Sequence, residues 1–180
     1  MKKIIYLLPV LVISFNLKAQ IKEPNFVGEA YLLTTDSTVK QLDKEIANFK
    51  EHLSFKVNGI ALSIFVEGKC AQAKIKSSDI KLIIKAIDNN SDPLSIIKIF
   101  KFDIKKNKRT SILSVDRSGS LLASRTYSKN QIKFEGKKYG ISSYLISLTD
   151  LKTGEYGIIV SNPNNQDEKR KIISCFSITK

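Results

Sequence analysis

Apolar residues fall on every second position through most of this 180-residue chain, and that spacing points to β-structure. Ile60, Leu62, Ile64 and Val66 form one face, with Ala61, Ser63, Phe65 and Glu67 on the other. Ile80, Leu82, Ile84 and Ala86 alternate with Lys81, Ile83 and Lys85. The run Ile96–Ile104 is apolar on both faces at its start, which predicts a central strand. Val27–Thr34, Ser111–Val115, Leu121–Tyr127, Ile132–Phe134, Ser142–Leu148, Tyr156–Val160 and Ile172–Ile178 complete the predicted set. Turn formers separate the runs at Gly68-Lys69, Asp88–Pro93, Lys105–Lys108 and Asp116–Ser120. Turns recurring about every ten residues, with no long helical stripe between them, favour an antiparallel sandwich or barrel over an α/β fold.

One segment reads two ways. Val39, Leu42, Ile46, Phe49 and Leu53 are spaced 3, 4, 3 and 4, which is helical, with Asp36 or Ser37 as the cap. The same stretch also divides into two short strands, Val39–Ile46 and Asn48–Phe55. The spacing of 38–53 leaves both readings open.

The N-terminus reads as an export signal. Met1-Lys2-Lys3 is basic, Ile4–Phe15 is an uncharged apolar run, and Asn16–Ala19 is a polar exit ending on a small residue. Twelve apolar residues are too few to span a bilayer, which takes about 20. The expectation is therefore a signal peptide over 1–19, no transmembrane anchor, and a single β-domain over 20–180. The product is expected in the periplasm or at the cell surface. Removing Lys2, Lys3 and Lys18 lowers the net charge from +13 to +10. Residues 69–138 hold 17 bases against 6 acids, so the excess belongs to the middle of the chain. Such a field favours anionic partners, but Lys outnumbers Arg heavily, and specific nucleic-acid recognition leans on the planar Arg fork. No specific nucleic-acid partner is expected.

Cys70 and Cys175 are the only cysteines. In an exported chain they pair as one disulfide or remain two packed thiols; sequence alone leaves both open. The single histidine, His52, has no nucleophile motif around it. Asp88, Asn89, Asn90 and Asp92 are rich in oxygen but lack the glycine and closing glutamate of a calcium loop. No catalytic set, metal site or cofactor is expected. Asp36-Ser37-Thr38 matches a short pattern that some Gram-negative bacteria O-glycosylate after export, at Ser37 or Thr38.

Leu151-Lys152-Thr153-Gly154-Glu155-Tyr156 carries the sharpest local signal. A Leu, a tight turn at Gly154 and Tyr156 opening a strand resemble the tyrosine corner of immunoglobulin-like sandwiches, where the phenol locks a crossover between sheets. The predicted fold is accordingly all-β, an immunoglobulin-like antiparallel β-sandwich, and Tyr156, Gly154 and Leu151 are assigned structural roles. Together with Gly28-Glu29-Ala30, Lys101–Arg109, Lys137–Gly140 and Ser143–Ile146, this motif resembles a group of uncharacterised secreted β-sandwich proteins of Gram-negative bacteria. That resemblance implies secretion and a sandwich, and supplies no active site.

The interaction candidates are two basic hairpin tips, Lys105, Lys106, Lys108 and Arg109 in one and Lys137 and Lys138 in the other. Tyr127 and Tyr139 are near enough in sequence to interleave aromatics. The functional expectation is a non-enzymatic structural or protein-interaction module with a partner protein in the envelope. The alternative is a binding module for an anionic glycan, lipid headgroup or other surface polymer.

Overall fold

The computed structural model describes residues 22–54, 59–117, 125–127, 130–167 and 169–180. The predicted signal segment, the turn at Ser118–Ser120 and the beginning of the predicted strand Leu121–Tyr127 lie outside them. The described residues form β1 (Ala30–Leu33), β2 (Val39–Gln41), β3 (Asp43–Ser54), β4 (Gly59–Glu67), β5 (Lys74–Ile75) and β6 (Ile80–Lys85). These are followed by α1 (Pro93–Ile96), β7 (Ile97–Lys105), β8 (Lys108–Asp116), β9 (Arg125–Tyr127), β10 (Glu135–Tyr139), β11 (Ser143–Leu148), β12 (Gly154–Val160) and β13 (Arg170–Ile178). No helix among them is long and apolar enough to cross a membrane.

The all-β expectation holds, but the architecture is not the predicted immunoglobulin-like sandwich. Six strands, in the order β12-β7-β8-β4-β3-β13, close into a barrel because β13 pairs on one side with β3 and on the other with β12. A five-stranded sheet, β10-β11-β6-β1-β2, flanks it. Closure removes the free edges that an open sandwich would have to protect. The barrel's seam is not uniform. β7 and β8 pair only from Asp103 to Lys105 against Lys108 to Thr110. Beyond that they part, and residues 125–127 and 130–132 line the opening: β9 pairs with Ser114–Asp116, while Gln131 bridges Phe100. The predicted strand Ile132–Phe134 does not form; it is irregular, with Ile132 N–H donating to the Ile99 carbonyl at 2.8 Å. The pairing is antiparallel except for β5, which runs parallel to β13.

The helical reading of 38–53 is overturned. β2 and β3 are almost continuous, and the chain passes from the flanking sheet to the barrel at Leu42, whose N–H donates to the Ala30 carbonyl. β3 pairs with β13 along one edge and β4 along the other. β13 pairs with Asp43–Asn48 and β4 with Asn48–Ser54, and these two ladders outweigh a helical spacing that would bury only one stripe.

Alternation sorts β7, β12 and β13 between two cores. Ala47, Ile64, Val66, Phe100, Phe102, Ile159, Ile173 and Cys175 fill the barrel. Ile97, Ile99, Tyr156, Ile158, Val160 and Phe176 face the other way and pack against Ala30, Leu82, Ile84, Tyr144 and Ile146 of the flanking sheet. A two-layer sandwich contact therefore survives, with a barrel wall as one of its layers.

Candidate functional site

The β7–β8 hairpin tip is basic, as its sequence indicates, but its four cations do not form one surface. Lys105 and Lys108 face each other across the ladder, and Lys106 takes a left-handed backbone at φ 54°. Lys108 is engaged: its ammonium lies 2.7 Å from the Glu67 carboxylate and 4.9 Å from the Phe65 ring centre. The neighbouring turn docks against this tip, with Gly68 N–H donating to the Asn107 carbonyl at 2.9 Å. That contact adds Lys69 to the basic end. Lys137 and Lys138 are exposed on β10, an edge strand of the flanking sheet, and not at a hairpin tip. Tyr139 follows them on β10, while the Tyr127 side chain lies outside the described residues.

Arg109 leaves the surface altogether and must be removed from the anion-binding set. Alternation turns it into the barrel, where it is 1% exposed. Its Nη2 pairs with Glu45 and donates to the Glu67 carbonyl, and its Nε donates to the Gly68 carbonyl. The Glu155 carboxylate stands 4.0 Å from Nη1. Burial disfavours the guanidinium charge, but the hydrogen bond with Glu45 and the surrounding negative groups outweigh that and raise its pKa. Glu155 in turn accepts from Ala71 N–H at 2.8 Å and from Ser177 Oγ at 2.7 Å. This network ties β3, β8, β12 and β13 together from inside the barrel.

The corner motif lies on the crossover from β11 to β12. Tyr156 is 1% exposed, stacks on Phe176 at 5.2 Å and donates its hydroxyl to the Lys152 carbonyl, four residues upstream, at 2.5 Å. Leu151 is buried in the interlayer core, and its N–H donates to Ser78. Gly154 has φ 150°, a backbone that calls for glycine; a Cβ there would meet only the far end of the Lys101 side chain. Lys101 Nζ closes the turn by donating to the Thr153 carbonyl.

The remaining polar candidates are engaged in local structure. Asp88 accepts from Asn90 N–H, Asp92 caps α1, and Asn89 donates to carbonyls of the β10–β11 turn. That turn is held chiefly by Glu23, which accepts from Ile141 N–H, Ser142 N–H, Ser143 Oγ and Lys85 Nζ. Burial would raise the Glu23 carboxyl; those donors, Ser143 first, outweigh it and hold it at about 2. Ser37 and Thr38 lie exposed in the β1–β2 turn, and His52 is exposed on β3 opposite Ala61. Both cysteines are free thiols: Cys70 is exposed in the turn after β4, and Cys175 is sealed in the barrel. The disulfide option is therefore not adopted. A cleft of about 520 Å³ opens at one end of the flanking sheet, but on its wall Thr34 is engaged in its own turn and the Asp79 carboxylate accepts from Asp150 N–H at 2.9 Å.

Sequence reasoning missed an exposed apolar patch on the barrel wall. The register of β3 on β13 places Ile46 opposite Ile172, Lys44 opposite Ser174 and Asn48 opposite Arg170. These even positions point outward. Ile46 is 48% exposed and Ile172 46%, and Phe26, 63% exposed, lies 4.7 Å from the Lys44 ammonium. Ile46 and Ile172 thus make an exposed cross-strand apolar pair, Phe26 sits beside Lys44 two positions along β3, and Lys50 and Arg170 share the outward parity of their strands. Lys44 is steadied by Glu29 at 2.7 Å. The signal was present in the parity of β3, but using it required the register. The chain matches no protein-family model, no curated protein and no solved structure.

Proposed function

We propose that this chain is exported and acts as a non-enzymatic protein-interaction module of the cell envelope, binding a partner through the β3–β13 barrel wall. The carrying observation is the exposed Ile46–Ile172 pair, with Phe26 beside Lys44 and with Lys50 and Arg170 on the same outward parity. An apolar centre with a charged rim is the anatomy of a protein contact. The rim's sign selects a partner surface with an apolar centre and acidic edge, and disfavours self-association through this face, because two copies would oppose like charges. The basic, apolar and polar order of Met1–Ala19 supports export. Crosslinking in intact envelopes is expected to capture one recurring partner with the wild-type chain and to lose it with Ile46→Glu or Ile172→Glu. Capture unchanged by both substitutions would overturn the reading.

The basic end supports a second reading, anionic-polymer binding, on a narrower footing. Lys69, Lys105 and Lys106 remain after Arg109 is internalised and Lys108 is paired. It predicts retention on heparin that collapses with salt and weakens on Lys105→Glu/Lys106→Glu. Elution no later than a protein of equal net charge would dismiss it. The two readings separate because each substitution set leaves the other surface intact.

A further inference from the structure

Among the described residues, two buried polar side-chain atoms have no hydrogen-bond partner, Arg109 Nη1 and Ser111 Oγ, both inside the barrel. Both residues are 1% exposed, so neither atom is served by bulk solvent. Leaving a buried donor unsatisfied is costly, and native interiors rarely do so without an ordered molecule at the site. The two residues occupy alternate positions on β8 and share its inward face, opposite Val66 and Ile64. Their backbones are therefore about 6.7 Å apart. A molecule making two hydrogen bonds of about 2.9 Å reaches atoms up to about 5.8 Å apart, and the 4.0 Å between Nη1 and Glu155 falls within that span.

We infer that the barrel contains a built internal hydration site, in which one water accepts from Arg109 Nη1 and bonds Ser111 Oγ, with the Glu155 carboxylate beside it as acceptor for a water proton. Glu155 Oε2 lies 4.0 Å from Nη1, beyond direct hydrogen-bonding distance yet close enough for one molecule to serve both. Electrostatics selects the occupant. Glu45 and Glu155 place two carboxylates around one guanidinium, so a chloride or phosphate would enter a site of net negative charge. A metal cation would meet the guanidinium. Water offers both donors and acceptors and carries no charge to desolvate. Apolar core lies beyond these polar groups, with Val66 and Ile64 opposite Arg109 and Ser111 and the Phe102 ring centre 5.8 Å from the guanidinium carbon, so a water held here exchanges slowly with bulk solvent.

The test is a crystal structure that resolves ordered water, joined to oxygen-17 relaxation dispersion, which counts waters that remain bound through molecular tumbling. The expected result is density for one water within hydrogen-bonding distance of both Arg109 Nη1 and Ser111 Oγ. One long-lived water per molecule should then be lost in Ser111→Val. Ser111→Ala removes a partner with less added bulk, and should shorten that water's residence. The wild-type density stands by itself if Ser111→Val does not fold. Empty density, a chloride in its place, or Nη1 bonded directly to Glu155 would each overturn the inference.

Discussion

Arg109 shows how a residue's neighbours in sequence can mislead. It ends the run Lys105-Lys106-Asn107-Lys108-Arg109, which reads as a solvated tip. Yet it stands one position beyond Lys108, and in a strand one position reverses the face. The side chain enters the barrel, and Glu45 and Glu155 neutralise it there. Removing one member of a buried charge set leaves the rest uncompensated, at about 3–5 kcal/mol. Glu45 retains 22% side-chain exposure and can recover some hydration, so the lower end applies. Urea unfolding of Arg109→Met is expected to show a loss of about 3 kcal/mol, and Glu45→Gln in the same chain should restore part of it. Equal stability of Arg109→Met and wild type would remove the network from the account of the fold. Glu23 makes a second residue-scale case, and here pH is the probe. Its folded pKa of about 2 lies below its ordinary value of about 4.3. The stability it contributes is therefore complete above about 4.3 and drains away as pH falls through that value toward 2. Glu23→Gln should lower stability at neutral pH and flatten the dependence on acid between these limits. An unchanged acid profile would show that the Ile141–Ser143 donors do not hold Glu23 in solution.

At the scale of elements, the sequence was most readable where a strand has at least one buried face, and least where it has none. The run Ile60–Val66 reads as a strand but not as one continuous face, because a register shift between Leu62 and Ser63 leaves Ile60 exposed while Ala61, Ile64 and Val66 are buried; Tyr156–Val160 is buried on both faces. β10 was missed because Glu135, Gly136, Lys137 and Lys138 are all exposed; the ladder to β11, not burial, makes it a strand. The helix α1 is a single turn whose only signal was Asp92 before Pro93, inside a cluster already assigned to a turn. β3 failed differently. Its helical spacing is an accident of two faces read as one: Phe49 packs toward the barrel core, while Ile46 points out to solvent. Ala47 and Ile46 test this parity directly. Ala47 is fully buried inside the barrel, so Ala47→Leu should overpack it and cost about 1–3 kcal/mol. Ile46→Thr, on the outer wall and retaining a β-branch, should change stability by no more than about 0.5 kcal/mol. Denaturant midpoints for the pair would reverse this order if the register of β3 were shifted by one residue.

For the whole molecule, closure of the barrel is the property that alternation could not announce. A strand with both faces buried, such as β13 from Ile173 onward, suits the centre of an open sandwich as well as the wall of a barrel. The difference lies in which strand pairs its far edge, and that is a register between segments more than a hundred residues apart. The cysteines turn this closure into something measurable. Cys175 lies inside the barrel with no exposed surface, and burial pushes its thiol well above the ordinary cysteine range, so in the folded state it presents neither access nor thiolate. Cys70 is exposed and free. Iodoacetamide on the native chain is therefore expected to add one adduct, at Cys70, with or without reductant, and to add the second only in denaturant. Dilute denaturant should admit the second adduct along the same curve as global unfolding, because β13 is bonded on both edges and cannot release Cys175 by local fraying. A disulfide would give no adduct until reduction. An open sandwich exposing the β3–β13 seam would give two adducts in the native state. Mass spectrometry of the intact chain distinguishes all three patterns, and only the single native adduct agrees with a closed barrel around Cys175.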